Sequence, residues 1–99
     1  MNDFDSAANH KLEEIAHFFE EFWPEADVDL FEDSLMINLS ENHQYLINKH
    51  GVTRQLWVSS PFTGAHHFKF KNNFWVSTRT DESIEAFLQH EKNAHASRT

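Results

Sequence analysis

Between Asp27 and Arg79 the chain alternates apolar and polar residues in short runs, and the joints between runs are only a few residues long. Parallel strands need a crossover of a dozen or more residues, so joints this short force neighbouring runs to pair antiparallel. Val28 and Leu30 alternate with Asp27 and Asp29, which reads as a half-buried strand, and "EDS" turns the chain into a second strand over Leu35–Leu39. Further strands fall near His43–Lys49, Arg54–Ser60, His66–Phe70 and Phe74–Arg79, with turns at "KHG", "PFTG" and "KNN". About six strands therefore form a largely antiparallel meander.

A meander has an apolar face to cover, and the chain ends supply the cover. From Asp5 to Trp23, the residues Leu12, Ile15, Ala16, Phe19, Phe22 and Trp23 recur at three- and four-residue spacing, the stripe of an amphipathic helix that Pro24 ends. Ser83 is placed to cap a second helix, Ile84 to about Lys92, with Ile84, Phe87 and Leu88 inward; the tail 93–99 reads as frayed. Two helices at the chain ends on one face of the sheet make a two-layer α/β sandwich of the α+β kind. Ninety-nine residues make a single domain over 1–99, near the lower limit for a self-sufficient core, and ten Phe, three Trp and one Tyr supply large buried areas per residue.

The chain has no cysteine, which excludes disulfides, thiolate chemistry and Cys-held metals; any metal must use oxygen or imidazole. Residues 1–35 hold eleven Asp/Glu and one Lys, whereas residues 36–99 hold five acids and seven Lys/Arg. An end that acidic repels nucleic-acid phosphates and suits cations or a basic protein surface. No apolar run is long enough to span a bilayer, and "MNDFDSAANH" shows neither a secretory nor an organellar address, so a cytoplasmic protein without membrane or nucleic-acid partners is expected, with a trimmed, mature mitochondrial chain as the alternative reading.

Two stretches stand out as candidate surfaces. In "RQLWVSSP", if Leu56 and Val58 point at the helices, then Gln55, Trp57 and Ser59 point at the uncovered face, which exposes Trp57 as an anchor for a protein partner. A slipped register would place Trp57 in the core instead. In "YLINK", Tyr45 and Ile47 inward put Asn48 on the open face, where Asn48, Gln55 and Trp57 form one patch. On the first helix, His10, Glu13, Glu14, His17, Glu20 and Glu21 lie opposite the core stripe, and Glu25, Asp27 and Asp29 extend that ridge onto the first strand. Such a ridge is either a plain solvated face or a surface that relieves its own repulsion by binding cations.

"EIAH", Glu14 to His17, has the Glu-x-x-His spacing of di-iron bundles, but it occurs once and faces water, so it cannot enclose an ion. Weak, hydrated binding shared among neighbouring carboxylates is the expectation. Imidazole at His10 and His17 favours later transition ions, and protons should compete with metal as the pH falls. His43, His50, His66, His67, His90 and His95 show no joint ligand spacing, and adjacent His66 and His67 point to opposite faces of a strand. No nucleophile–base pair, phosphate-binding glycine loop or dinucleotide fingerprint is present, so no catalytic residue is assigned.

"INK", then "RQLWVSSPFTG", then an aromatic strand ending in "FWVS" resemble the sheet signature of the frataxin family, and the similarity extends over almost the whole chain. The resemblance implies an accessory protein of iron–sulfur cluster assembly that binds iron(II) or iron(III) weakly on the acidic ridge and docks on a cysteine desulfurase and scaffold complex. It implies a monomer able to oligomerise with iron, and it adds Lys49 and His67 to the rim of the Trp57 patch. Two other readings stay open: a ferroxidase acting on the ridge, and an acidic interaction module with incidental metal affinity. The chain departs from the family pattern at "AHH" after Gly64, at Asp33 in place of a turn glycine, at Phe70 in place of a Trp, and at "HGV" in place of a proline-containing turn. Of these, His67 in place of a basic residue bears on partner contact, because neutral imidazole is a poor substitute for Arg or Lys.

Overall fold

The computed structural model describes residues 3–40 and 42–95. Helix α1 (Asp3–Phe22) leads into β1 (Asp27–Leu30), β2 (Ser34–Ser40), β3 (His43–His50), β4 (Gln55–Ser60), β5 (Gly64–Lys71) and β6 (Phe74–Ser77), and helix α2 (Ile84–His95) follows. Strand order in space is strand order in sequence, and every neighbouring pair is antiparallel. Both helices contribute their apolar stripes to the core, so the molecule is a two-layer sandwich with one sheet face uncovered.

The turns follow their residues. Lys71 pairs with Phe74, which leaves Asn72 (φ 52°) and Asn73 (φ 68°) as a two-residue hairpin loop. Both central residues of such a loop must be left-handed to match strand twist, and Asn tolerates this better than other side-chain-bearing residues. Gly64 (φ 87°) opens β5 and Arg54 (φ 58°) precedes β4, whereas Asp33 is not left-handed despite standing where a glycine was anticipated. The Ser83 hydroxyl accepts the Ala86 N–H at 3.1 Å, capping α2 as its position in the sequence suggested.

The core joins Phe4, Ala8, Leu12, Ile15, Ala16, Phe19 and Trp23 of α1 and its end to Leu35, Ile37, Tyr45, Ile47, Leu56, Val58, Phe68 and Trp75 of the sheet, with Ile84, Phe87 and Leu88 of α2. Each large side chain taken out of water there contributes about 1.5–3 kcal/mol. Phe4 at the start of the stripe meets Trp75 edge-on, and Phe19 packs on Tyr45 with centroids 4.9 Å apart. The Phe4 contact explains why α1 begins two residues before the expected Asp5.

Three expectations need correction. Phe22 is 39% exposed rather than inward: it pairs with Phe18 on the flank that faces α2, and the Lys92 ammonium lies 4.1 Å from its ring centre. Leu30 faces the helix layer, yet it is 47% exposed because β1 is the sheet's edge. Finally, α2 runs through His95, three residues into the segment expected to fray, since the His95 ring stacks on Phe62 at 4.0 Å and ties the last turn to the β4–β5 loop. Residues 96–99 of that tail lie outside the described residues.

Candidate functional site

Helix α1 turns its core stripe inward, so the positions between face water. His10, Glu13, Glu14, His17, Glu20 and Glu21 are all exposed, and Glu25 just beyond the helix is exposed as well. Their charges are not equivalent. Lys11, whose side chain is only 17% exposed, ion-pairs with Glu14 and reaches across to Glu85 of α2. The hydrogen bond from Lys11 holds the Glu14 carboxyl below the usual carboxylate range. Burial by itself would lower the Lys11 pKa, but the bonds to Glu14 and Glu85 outweigh it and hold the ammonium above its ordinary value. Glu14 is therefore partly neutralised within the molecule, and it also meets His10 at 3.1 Å. His17 approaches Glu20 at 3.4 Å. Among the described residues no Lys or Arg pairs with Glu13, Glu20, Glu21, Glu25, Asp27 or Asp29.

Strand register decides where the ridge ends. Val28 pairs with inward Ile37, so Asp27, opposite Asn38, and Asp29, opposite Met36, occupy the uncovered sheet face. The carboxylates of β1 and those of α1 thus lie on opposite sides of one edge strand. In keeping with this, among the described residues no three His, Asp or Glu side chains converge closely enough to hold an ion together. The arrangement can concentrate hydrated cations along an edge; it offers no closed coordination shell.

The open face carries Asn48, Trp57 and His67 in one row, because Asn48 pairs with Trp57 and Trp57 with His67. Gln55 sits beside Lys69 in the next row. Trp57 is on the open face, as alternation required, but it is half-buried: His50 stacks on the indole at 3.9 Å and 6°, and His67 at 4.3 Å and 13°. Its Nε1–H donates to Gln55 Oε1 at 2.7 Å, and His50 Nδ1 is 2.7 Å from the Thr53 hydroxyl. Nothing in the spacing of His50 and His67 suggested that their rings would meet across an indole, although strand pairing alone places both next to Trp57. Lys49 does not join this patch. Its pairing with Leu56 turns it to the helix side, where its ammonium donates to Asn9 Oδ1 at 3.2 Å and lies 3.4 Å from Asp5 and 3.6 Å from Asp33.

A polar cluster inside the protein was also missed from the sequence. Glu91 of α2 is 4% exposed and accepts hydrogen bonds from Tyr45 Oη and Ser60 Oγ, both at 2.6 Å, and from Thr63 Oγ1 at 3.0 Å. Ser60 Oγ in turn accepts the N–H groups of Phe62 and Thr63. With its proton given to Glu91, the Thr63 oxygen accepts from His66 Nε2 at 2.8 Å, which fixes that ring's tautomer. Burial and the Glu91 carboxylate push the Tyr45 phenol well above its usual range. The available signal was an acid at the i+7 position of the Ile84, Phe87, Leu88 stripe.

Comparison with known proteins agrees with this architecture. A family model described as a frataxin-like domain matches residues 1–98. The iron-sulfur cluster assembly protein CyaY of Photobacterium profundum is 29% identical over 101 residues, covering 100% of this chain and 95% of that protein. The mitochondrial frataxin of Arabidopsis thaliana is 30% identical over 86 residues, and the match covers 84% of this chain and 46% of the plant protein. Among solved structures, trimeric frataxin of Saccharomyces cerevisiae complexed with ferrous iron superposes with a TM-score of 0.76 at 26% identity, over 99% of this chain and 88% of that one. Neither described helix is long and apolar enough to cross a membrane.

Proposed function

Because the chain belongs to the frataxin family, we propose that it serves iron–sulfur cluster assembly as a cytoplasmic accessory protein that holds iron loosely along α1 and docks on a cysteine desulfurase and scaffold complex. The observation that carries the iron half is the row of exposed carboxylates at Glu13, Glu20, Glu21 and Glu25, none of them paired with a Lys or Arg among the described residues. His10 and His17 add imidazole nitrogen to that row, Asp27 and Asp29 continue it around the edge strand, and Glu14 contributes least because Lys11 already pairs with it. Iron is cargo here, bound with most of its water retained, so it can be released without dismantling a site. The ferrous complex of the yeast relative supports this reading.

Docking uses both charge and shape. The acidic ridge steers toward a basic surface and raises the encounter rate. The open-face patch of Asn48, Gln55, Trp57 and His67 then sets orientation, with the indole held in place between the His50 and His67 rings. The protein acts as one 1–99 domain, monomeric without iron and able to oligomerise with it.

A backbone NMR titration tests these assignments residue by residue. Iron(II) and cobalt(II) should perturb Glu13, His17, Glu20, Glu21 and Glu25 first and Trp57 last, whereas the desulfurase complex should perturb both surfaces. Metal-induced changes spread evenly over the molecule would sink the iron reading. A second reading, an acidic interaction module with incidental metal affinity, draws on the lack of three convergent ligands among the described residues. Desulfurase affinity that ignores both iron and chelator would favour it.

A further inference from the structure

The β1–β2 turn presents a bulky apolar residue where a tight turn has no need of one. Phe31 is 53% exposed, and adjacent Leu30 is 47% exposed. The turn closes through the Phe31 N–H, which donates to the Ser34 carbonyl at 2.8 Å. Between this turn and α1 lies a groove lined by Asn9, Leu12, Glu13, Leu30, Phe31 and Glu32. Leu12, Leu30 and Phe31 supply its apolar lining, and Glu13 of α1 and Glu32 of the turn each bring a carboxylate to it. Among the described residues no Lys or Arg pairs with Glu13 or Glu32.

The turn is tied to the helix. Lys49 links Asp5 and Asn9 of α1 to Asp33 of the turn, and the Lys49 N–H donates to the Asp33 carbonyl at 2.8 Å. Phe31 is thus carried on an anchored turn, and such support lets an exposed aromatic bind without a large ordering cost. The other strongly exposed apolar residues lack this setting: Val52 stands at a turn tip, and Phe74 lies in a hollow with both Lys71 and Asp81.

We propose that this groove is a docking site for a protein segment that inserts one large apolar side chain against Leu30, Phe31 and Leu12 while flanking Lys or Arg residues pair with Glu13 and Glu32. Charge complementarity selects that occupant. Anionic lipid headgroups and nucleic-acid phosphates are repelled by the carboxylates, and a second copy of this chain brings a net charge of −8 of its own. The identification of the desulfurase complex as the partner rests on the docking reading above; the chemistry of the occupant follows from the groove alone.

The test uses full-length protein with Phe31→Ser, Leu30→Ser, or the pair Glu13→Gln with Glu32→Gln. Calorimetry measures affinity for the desulfurase complex, and NMR follows a 12-residue peptide with one central Trp flanked by Lys and Arg, beside a control peptide with Ala for Trp. We expect Phe31→Ser to weaken both interactions about tenfold or more with an unchanged melting temperature, and the Trp peptide to shift Asn9, Leu12, Leu30 and Phe31. Desulfurase binding lost in the Gln pair but unchanged in Phe31→Ser and Leu30→Ser, together with equal binding of the two peptides, overturns the groove and leaves ridge docking standing. Failure of the unaltered protein to bind the desulfurase complex overturns the docking reading instead, and the peptide shifts then decide the groove on their own.

Discussion

At the scale of single residues, the most consequential side chain is one that carries no visible surface role. Glu91 is a buried carboxylate with three hydroxyl donors, and removing its charge strands those hydroxyls in a space built for an anion. Glu91→Leu should destabilise the domain by about 3–5 kcal/mol, the usual cost of breaking a buried charge network, read as a shifted denaturation midpoint with unchanged slope. Its partner Tyr45 makes stability depend on alkaline pH. The folded phenol has a raised pKa, so above the unfolded value of about 10 the folded state binds more protons than the unfolded one. Stability linked to Tyr45 is complete below pH of about 10 and is lost as pH rises beyond it; Tyr45→Phe should flatten that part of the stability–pH curve, compared by urea titrations at pH 9 and 11. On the other face, Trp57→Ala removes two ring contacts but no core contact. It should cost about 1 kcal/mol and leave the melting transition sharp, while weakening desulfurase binding. A loss as large as a core aromatic produces would contradict the open-face placement.

At the scale of elements, legibility followed periodicity. Leu12, Ile15, Ala16, Phe19 and Trp23 announced α1, and Tyr45, Ile47, Leu56 and Val58 announced which face of β3 and β4 is buried, because burial imposes strict spacing on apolar residues. Lys49 shares the inward parity of Tyr45 and Ile47, but a long cation at the end of a strand reads as exposed, and the partners that hold it, Asp5 and Asn9 of α1 and Asp33, are set by helix placement that alternation does not show. The ridge was half legible. Its exposure follows from the helix period, but the split between α1 and β1 carboxylates depends on strand register, and the sharing of Lys11 between Glu14, three residues on, and Glu85 depends on where α2 packs. The imidazoles on α1 yield a test at this scale. Coordination requires neutral imidazole, so cobalt(II) or iron(II) should bind more weakly at pH 6 than at pH 7.5, and the double variant His10→Ala with His17→Ala should lose most of that difference. Equal affinities at the two pH values in the unaltered protein would remove both histidines from the metal surface.

At the scale of the whole molecule, the two-layer plan was legible because joints this short leave a six-strand chain no topology other than a meander. What the plan creates is an uneven charge map, acidic along α1 and β1 and basic at Lys69 and Lys71 on the far side of the sheet. The association rate with a basic partner should therefore fall about tenfold or more between low and high salt while the dissociation rate changes little, as stopped-flow mixing would show. The sandwiched indole sets a further condition on any such encounter. Both broad surfaces of Trp57 are already taken by imidazoles, so only its rim is free to touch a newcomer. A visiting aromatic or guanidinium group that seeks the flat of the ring has to evict His50 or His67, which makes recognition there a swap of one companion for another.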